Sequence, residues 1–394
     1  MATTDFDVII VGGAAVGSAV AYFLGKQPDF SGTVLVIEKD ASYQHSATAL
    51  SAASIRHQFS TVENIQMSLF GTQFLRAFKH DMAVAGEAPD PAFCERGYLF
   101  LADSPEGESI LQQNQQRQNA CGADIALLTP AAMDQRFPWL NTDDLYAGSL
   151  GLSGEGWLDA YGMMQGMRRK AIELGVQYRQ DEVVEILHQG GRVTGVHTAQ
   201  GQKIQCQYLV NAAGIGARAL AEQLGIDLPI EARKRSVFYF HSPAQLPDCP
   251  MVIDPTGAYF RPEGEGFITG IAPNPEDDPE CTDFNVQHEL FEEVLWPILA
   301  HRVPQFEALR LMHSWAGHYD MNTVDHNVIL GCHPSFENCY FANGFSGHGM
   351  QQAPAVGRAI SELITYGSYQ SLDLSRLGWG RILANEPIIE LNVV

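Results

Sequence analysis

The first forty residues leave the chain little choice of fold. Asp7-Val-Ile-Ile-Val-Gly-Gly is a short apolar run closed by two glycines, residues 19–24 favour a helix, and Val34-Leu-Val-Ile-Glu38 is a second apolar run. Apolar runs of this length, rich in β-branched residues and bounded by turn signals, read as fully buried strands. Strand, glycine turn, helix and strand in close succession form a βαβ unit, whose parallel strands belong to a sheet covered on both faces. The expected class is therefore α/β, with a Rossmann-type domain at its centre.

The turn itself, Gly12-Gly13-Ala14-Ala15-Val16-Gly17, has the first and last glycines of a GxGxxG pattern and Ala14 at the middle position. Such a turn lets backbone N–H groups approach a pyrophosphate at a helix N-terminus. Glu38 ends the second strand where an acid accepts hydrogen bonds from a ribose 2′ hydroxyl, and its charge disfavours a 2′ phosphate. Lys39 follows it. A dinucleotide is the expected ligand.

With 394 residues, 45% hydrophobic and 18% charged, the chain has ordinary globular usage and room for two interleaved lobes. Helical patterns at 63–82 and 161–174 and strand patterns at 183–186, 193–198 and 208–212 suit the nucleotide lobe. Strand patterns at 97–102, 237–241, 258–261 and 266–271, with a Pro- and acid-rich loop at 273–279, suit a second, antiparallel sheet. The expected division is a discontinuous dinucleotide-binding domain (1–82, 147–228 and 325–394) interleaved with an α+β substrate domain (83–146 and 229–324).

A formal charge of −22 repels nucleic acid and anionic lipid. No apolar run approaches the roughly 18 to 20 residues of a membrane span, and no basic leader precedes the first strand, so a soluble, cytoplasmic protein is expected. Seven cysteines without CxxC spacing point to neither a disulfide framework nor a metal site.

Near the other end, Gly344-Phe-Ser-Gly347-His348-Gly349-Met350 precedes a helix expected over 354–364. Three glycines in six residues let backbone crowd a planar ligand, and the helix N-terminus favours negative charge on it. A tight turn without a ligand has the same spacing, and the two readings stay open.

Val11 to Gly17, Glu38, Asn211-Ala-Ala213-Gly214 and Gly344 to Gly349 together resemble the D-amino-acid oxidase superfamily of FAD-dependent oxidoreductases, along most of the chain. Trp315-Ala-Gly-His-Tyr-Asp320, Asn322-Thr-Val-Asp325 and Gln351-Gln-Ala-Pro354 are similar to the FAD-dependent oxidoreductase domain-containing proteins associated with mitochondrial complex I assembly, and to bacterial relatives. The resemblance implies FAD, with Ser46, Thr48 and Ser51 in a loop meeting the diphosphate and flavin, and the Val183 backbone at adenine. It implies noncovalent FAD, since Thr48-Ala-Leu50 has no His at the attachment point of related enzymes.

The same resemblance places Arg56 as the grip on a substrate carboxylate, and Tyr259 and Arg261 on a carboxylate-binding strand. A guanidinium fork matches a carboxylate with two parallel hydrogen bonds, and alternation puts Tyr259 and Arg261 on one face. An ordinary ion pair remains the alternative for either arginine. His348 sits where an imidazole could meet flavin or substrate, with a role in the loop's backbone geometry alone as the open alternative; His57, His318 and Tyr319 are weaker candidates. The expected activity is oxidation of the C–N bond of a small amino acid or N-substituted amino acid by hydride transfer to flavin N5. Its electrons would pass to oxygen, a quinone or an electron-transfer protein. A flavin-containing assembly protein without turnover and a 2-hydroxy acid dehydrogenase are the competing readings. A lysine of sarcosine oxidase falls on Ile268 here and a second on Gln351, which tilts the expectation toward a dehydrogenase.

Overall fold

The computed structural model describes residues 5–391, arranged around two eight-stranded sheets. The first has the path Ile329–Cys332, Cys339–Asn343, Lys203–Asn211, Asp5–Val11, Val34–Glu38, Gln177–Gln180. Asp5–Val11 pairs in parallel with Lys203–Asn211 on one side and Val34–Glu38 on the other. Its apolar run is explained by that central place. Val8 and Ile10 are buried under the helices Ala15–Lys26, Val62–Asp81, Ala160–Glu173 and Gly349–Tyr366, while Ile9 and Val11 join Val183, Ile186, Val196 and Leu220 on the opposite face. Two antiparallel strands, Val183–Gln189 and Arg192–Thr198, branch from Lys203–Asn211 and supply that second cover.

The second sheet runs Arg310–Asn322, Ile230–His241, Gly266–Gly270, Tyr259–Glu263, Met251–Ile253, Tyr98–Ala102, Ala147–Gly151, Ile125–Leu128. Every neighbouring pair is antiparallel except Met251–Ile253 with Tyr98–Ala102. One face packs Phe238, Phe240, Phe260, Phe267 and Phe306 into a phenylalanine-rich core. Alternation turns Tyr259 and Arg261 to the opposite face from Phe260. The boundary expected at residue 147 falls beside a strand of this sheet, because Ala147–Gly151 is hydrogen-bonded to strands on both sides.

Three elements differ from the sequence expectation. The helix Pro105–Ala120 buries only Leu111, Asn114 and Gln118, so its glutamine-rich sequence carries no apolar stripe, although Ser104 caps it through Gly107 N–H and Pro105 opens it. The strand Arg310–Asn322 is half polar, with an exposed first half, and pairs along its length with Ile230–His241. The helix expected from Pro354 begins at Gly349, one turn earlier, with Pro354 in its interior. Among the described residues no helix is long and apolar enough to cross a membrane.

Candidate active site

The parallel strands bring the ends Val11, Glu38, Asn211 and Asn343 to one edge of the first sheet. Ligands of open α/β sheets bind outside this carboxyl edge. Gly12, at φ 95°, lies so close to the neighbouring turn that a Cβ there would collide with the carbonyl of Ala212. A Cβ on Gly17 would strike the carbonyl of Gly12, so the helix Ala15–Lys26 starts flush against the strand. Glu38 accepts the Gly13 N–H at 2.7 Å and the Asp40 N–H at 2.9 Å, which fixes its carboxylate beside the glycine turn. Lys39 is exposed.

Thr48 Oγ1 accepts the Ala15 N–H at 3.2 Å, bringing the loop of Ser46, Thr48 and Ser51 against the turn. The hydroxyls of Ser46 and Ser51 close that loop on the carbonyls of Tyr43 and Thr48. Ala213 and Gly214 follow the strand paired with Asp5–Val11, and Ala213 N–H is held by Asn211 Oδ1 at 3.2 Å. Val183 lies two residues past Asp181, whose N–H bonds to the Glu38 carbonyl. All these predicted positions therefore converge on one edge, where Ala14 and Val16 are half-buried.

Across the edge, Gly344 and Gly347 take φ 81° and 95°, and Ser346 takes 52°. Left-handed backbone favours glycine, so Ser346 is held there by its neighbours. Its N–H donates to the Asp320 carbonyl at 3.1 Å and its Oγ accepts the Asn322 N–H at 3.0 Å. The Asp320 carboxylate accepts the Gly344 N–H at 2.8 Å and also the Phe345 N–H, and burial pushes it up to about 6. The Tyr319 ring packs on Gly347, where a Cβ would lie 2.6 Å from Cε2.

The residues fit a dinucleotide with a planar head group. The helices Ala15–Lys26 and Gly349–Tyr366 both begin without a side-chain cap and without an acid in the first turn, so their positive ends face the edge unneutralised. Asn343 is fully buried just before Gly344, and neither its amide nitrogen nor its oxygen has a protein partner among the described residues. FAD, held by Gly12 to Gly17, Glu38 and the Gly344 to Met350 loop, would supply a two-electron acceptor here.

Arg56 and His348 meet at this loop. Arg56 Nη2 stands 3.1 Å from His348 Nε2, Nη1 donates to the Gln58 carbonyl at 3.3 Å, and the guanidinium lies over Phe59 and Phe100. Both residues are buried. Burial, then the charge of Arg56, holds His348 down at about 3, so the imidazole is neutral and receives the arginine N–H on Nε2. The Arg56 backbone N–H donates to Gln351 Oε1 at 3.0 Å, tying it to the first turn of the helix Gly349–Tyr366.

Arg261 is placed differently. Its Nε and Nη2 both donate to the Ala52 carbonyl, at 3.2 and 2.7 Å, while Nη1 meets the Pro262 carbonyl and forms an ion pair with Glu263. It ties the second sheet to the segment just before Arg56. Tyr259 remains half-buried beside it, its phenol pushed up by burial and by the nearby Tyr319. Of the weaker candidates, His57 is pushed down to about 4 by burial and bonded to Thr72, and His318 is bonded to the Asp283 carbonyl at 2.9 Å.

Sequence reasoning passed over Glu155. It is fully buried and accepts the N–H groups of His57 at 2.5 Å and Gln58 at 3.2 Å, with Gln58 Nε2 at 2.9 Å. A lone acid in a Gly-Leu-Ser-Gly-Glu-Gly loop looks like an exposed turn. The available signal was the glycines, since a Cβ on Gly151 would overlap the Glu155 carboxylate and one on Gly154 would lie 2.5 Å from the His57 ring.

Among known families, the model described as FAD dependent oxidoreductase (DAO) matches residues 7–363. The FAD-dependent oxidoreductase domain-containing protein 1 of Xenopus laevis is 42% identical, covering 98% of this chain and 85% of that protein. The L-proline dehydrogenase from P. horikoshii has a similar structure, with TM-score 0.87, 27% identity, and coverage of 98% of this chain and 100% of that one. Homo sapiens sarcosine dehydrogenase, a mitochondrial protein, is 24% identical over 92% of this chain and 40% of its own length. The expected cytoplasmic location is contradicted by relatives that are themselves named as mitochondrial, sarcosine dehydrogenase among them; the lack of an apolar span never bore on the compartment. With a family match over residues 7–363 and a relative 42% identical across 98% of its length, the chain belongs to the DAO family of FAD-dependent oxidoreductases.

Proposed function

We propose that this oxidoreductase acts on the C–N bond of a small amino acid or N-substituted amino acid. The observation that carries the reading is the buried Arg56–His348 pair beside the Gly344 to Met350 loop. A guanidinium in a desolvated wall binds a carboxylate strongly and sets its orientation, which is what transfer of a hydride from the neighbouring carbon demands. The neutral imidazole keeps Arg56 in place without adding a second positive charge. The names of a structural neighbour, an L-proline dehydrogenase, and of a relative, a sarcosine dehydrogenase, support the substrate class.

In this reading Arg56 binds the carboxylate, Tyr259 lines the substrate wall, and Arg261 holds that wall to Ala52. FAD is bound noncovalently by the residues at the sheet edge, so acid precipitation releases it into the supernatant; flavin that stays with the pellet contradicts this. The electron acceptor is a quinone or an electron-transfer protein in preference to oxygen. Support comes from the absence of charge at Ile268 and Gln351, from neutral His348 and from the pairing of Arg261 with Glu263.

Anaerobic mixing of the holoenzyme with primary amino acids, N-methyl amino acids and the matching 2-hydroxy acids tests the reading. Loss of the oxidised flavin band with an amine and not with its hydroxy counterpart supports it. Reduction by the hydroxy acids alone moves the chain to that class.

A further inference from the structure

Glu155 is a buried acid with no catalytic assignment, and its surroundings are built to hold it. Gly151 leaves the space that the Glu155 carboxylate occupies, and the Glu155 carbonyl accepts the Gly97 N–H at 2.9 Å. The loop is anchored next door by Thr72, whose hydroxyl donates to the Gly154 carbonyl at 2.7 Å while it bonds the His57 ring. The three hydrogen bonds that the Glu155 carboxylate accepts come from His57 and Gln58, the two residues after Arg56. The Gln58 amide is held further: Nε2 donates also to the Tyr98 carbonyl at 3.1 Å, and Oε1 accepts the Ser149 hydroxyl at 2.7 Å. The Gln58 backbone carbonyl in turn receives Arg56 Nη1.

We propose that Glu155 is the positioning residue for the Arg56 guanidinium, acting through the Gln58 peptide. Through the His57 and Gln58 N–H groups and Gln58 Nε2, Glu155 holds Gln58 by backbone and side chain, so that its carbonyl stays at Nη1 while His348 holds Nη2. The guanidinium is thus set from two sides before any carboxylate arrives, so little ordering entropy is lost on binding. Ser149 acts one step further out, fixing the orientation of the Gln58 amide.

This inference rests on the reading of Arg56 as a carboxylate anchor, and its test separates the two. Glu155→Gln keeps size but sets its new NH2 against Gln58 Nε2, so one of the three bonds is lost. Holoenzyme is titrated with acetate and benzoate, followed by perturbation of the flavin band. Glu155→Gln is expected to keep a full complement of FAD, to weaken carboxylate binding about tenfold and to raise KM more than it lowers kcat. Combined with Arg56→Lys it is expected to cost far less than the two separate losses multiplied, because both act on one interaction. Ser149→Ala, a milder change, moves the same quantities less. Carboxylate binding unchanged in Glu155→Gln, or losses that multiply fully, overturns the proposal. Should the wild type itself bind neither carboxylate, the anchor reading fails, and a crystal structure of Glu155→Gln still decides the positioning role. Arg56 displaced from the Gln58 carbonyl supports it, and Arg56 unmoved overturns it.

Discussion

Arg56 Nη2 lies 3.1 Å from His348 Nε2, and the two residues, 292 positions apart, join the start of the nucleotide-binding half to the glycine loop near its end. Because an arginine only donates, the imidazole accepts on Nε2 and carries its proton on Nδ1. The pair holds one fixed positive charge, not two.

Arg56→Lys should therefore raise KM for a carboxylate substrate while leaving flavin content unchanged. A single ammonium cannot reproduce the planar fork, nor reach both the Gln58 carbonyl and His348. The expected loss in kcat/KM corresponds to about 2–4 kcal/mol for a desolvated pair. Steady-state kinetics with flavin content measured on the same sample check this; unaltered kinetics would remove Arg56 from the substrate site.

Much of this arrangement was legible because local signals and tertiary roles coincide. The glycine turn and Glu38 stand at the carboxyl edge of parallel strands, the βαβ arrangement their sequence announces, and Glu38 there accepts the Gly13 N–H. Arg56, His348 and Tyr259 were accessible through a resemblance and not through periodicity. What stayed hidden depends on contacts between distant segments. Glu155 sits in a glycine-rich loop whose role shows only when the chain folds His57 and Gln58 onto it, and of the two readings open for Arg261, ligand grip or ion pair, only the fold shows Ala52 and Glu263 meeting its donors. The strand Arg310–Asn322 escaped because its polar half faces solvent.

Stability should respond to pH through opposed buried groups. His57 and His348 are held at about 4 and about 3, below their usual 6.5, so the stability they contribute is present above 6.5 and lost as pH falls. Glu155 and Asp320 are raised to about 7 and about 6, so theirs is present below the usual carboxylate range and lost as pH rises through 6 to 7. Glu155→Gln deletes one falling contribution. Relative to wild type, its unfolding free energy should climb with pH by about 1.4 kcal/mol per unit between about 4.5 and 7. Denaturant titrations at several pH values, with FAD saturating, measure the difference; parallel curves contradict it.

Asp320→Asn tests the Gly344 to Met350 loop. The carboxylate receives Gly344 and Phe345 N–H groups, and an amide can accept on only one of its two atoms. A buried N–H left unpaired costs about 1–3 kcal/mol, so FAD affinity should fall by about an order of magnitude or more. Flavin fluorescence on dilution reads this directly, and an unchanged dissociation constant would show that the loop needs no help from Asp320.

Ile268→Lys tests the acceptor preference. Ile268 is buried and paired opposite Arg261, on the face that carries Tyr259. A cation there would stabilise the anion formed when oxygen takes its first electron. Reoxidation of the reduced wild type in air should be much slower than with a quinone or dye, and the lysine variant should gain oxygen reactivity. Oxygen matching the best dye in the wild type contradicts the dehydrogenase reading.

The central claim is that the Arg56–His348 pair serves oxidation of a carboxylate-bearing amine. Anaerobic reduction of the purified holoenzyme by a panel of primary and N-substituted amino acids, followed at the oxidised flavin band in wild type and Arg56→Lys side by side, tests it most directly. At least one such amine is expected to bleach the wild type, and Arg56→Lys to need far more of it for the same rate. Wild-type flavin left oxidised by every amine, yet readily bleached by dithionite, would contradict it.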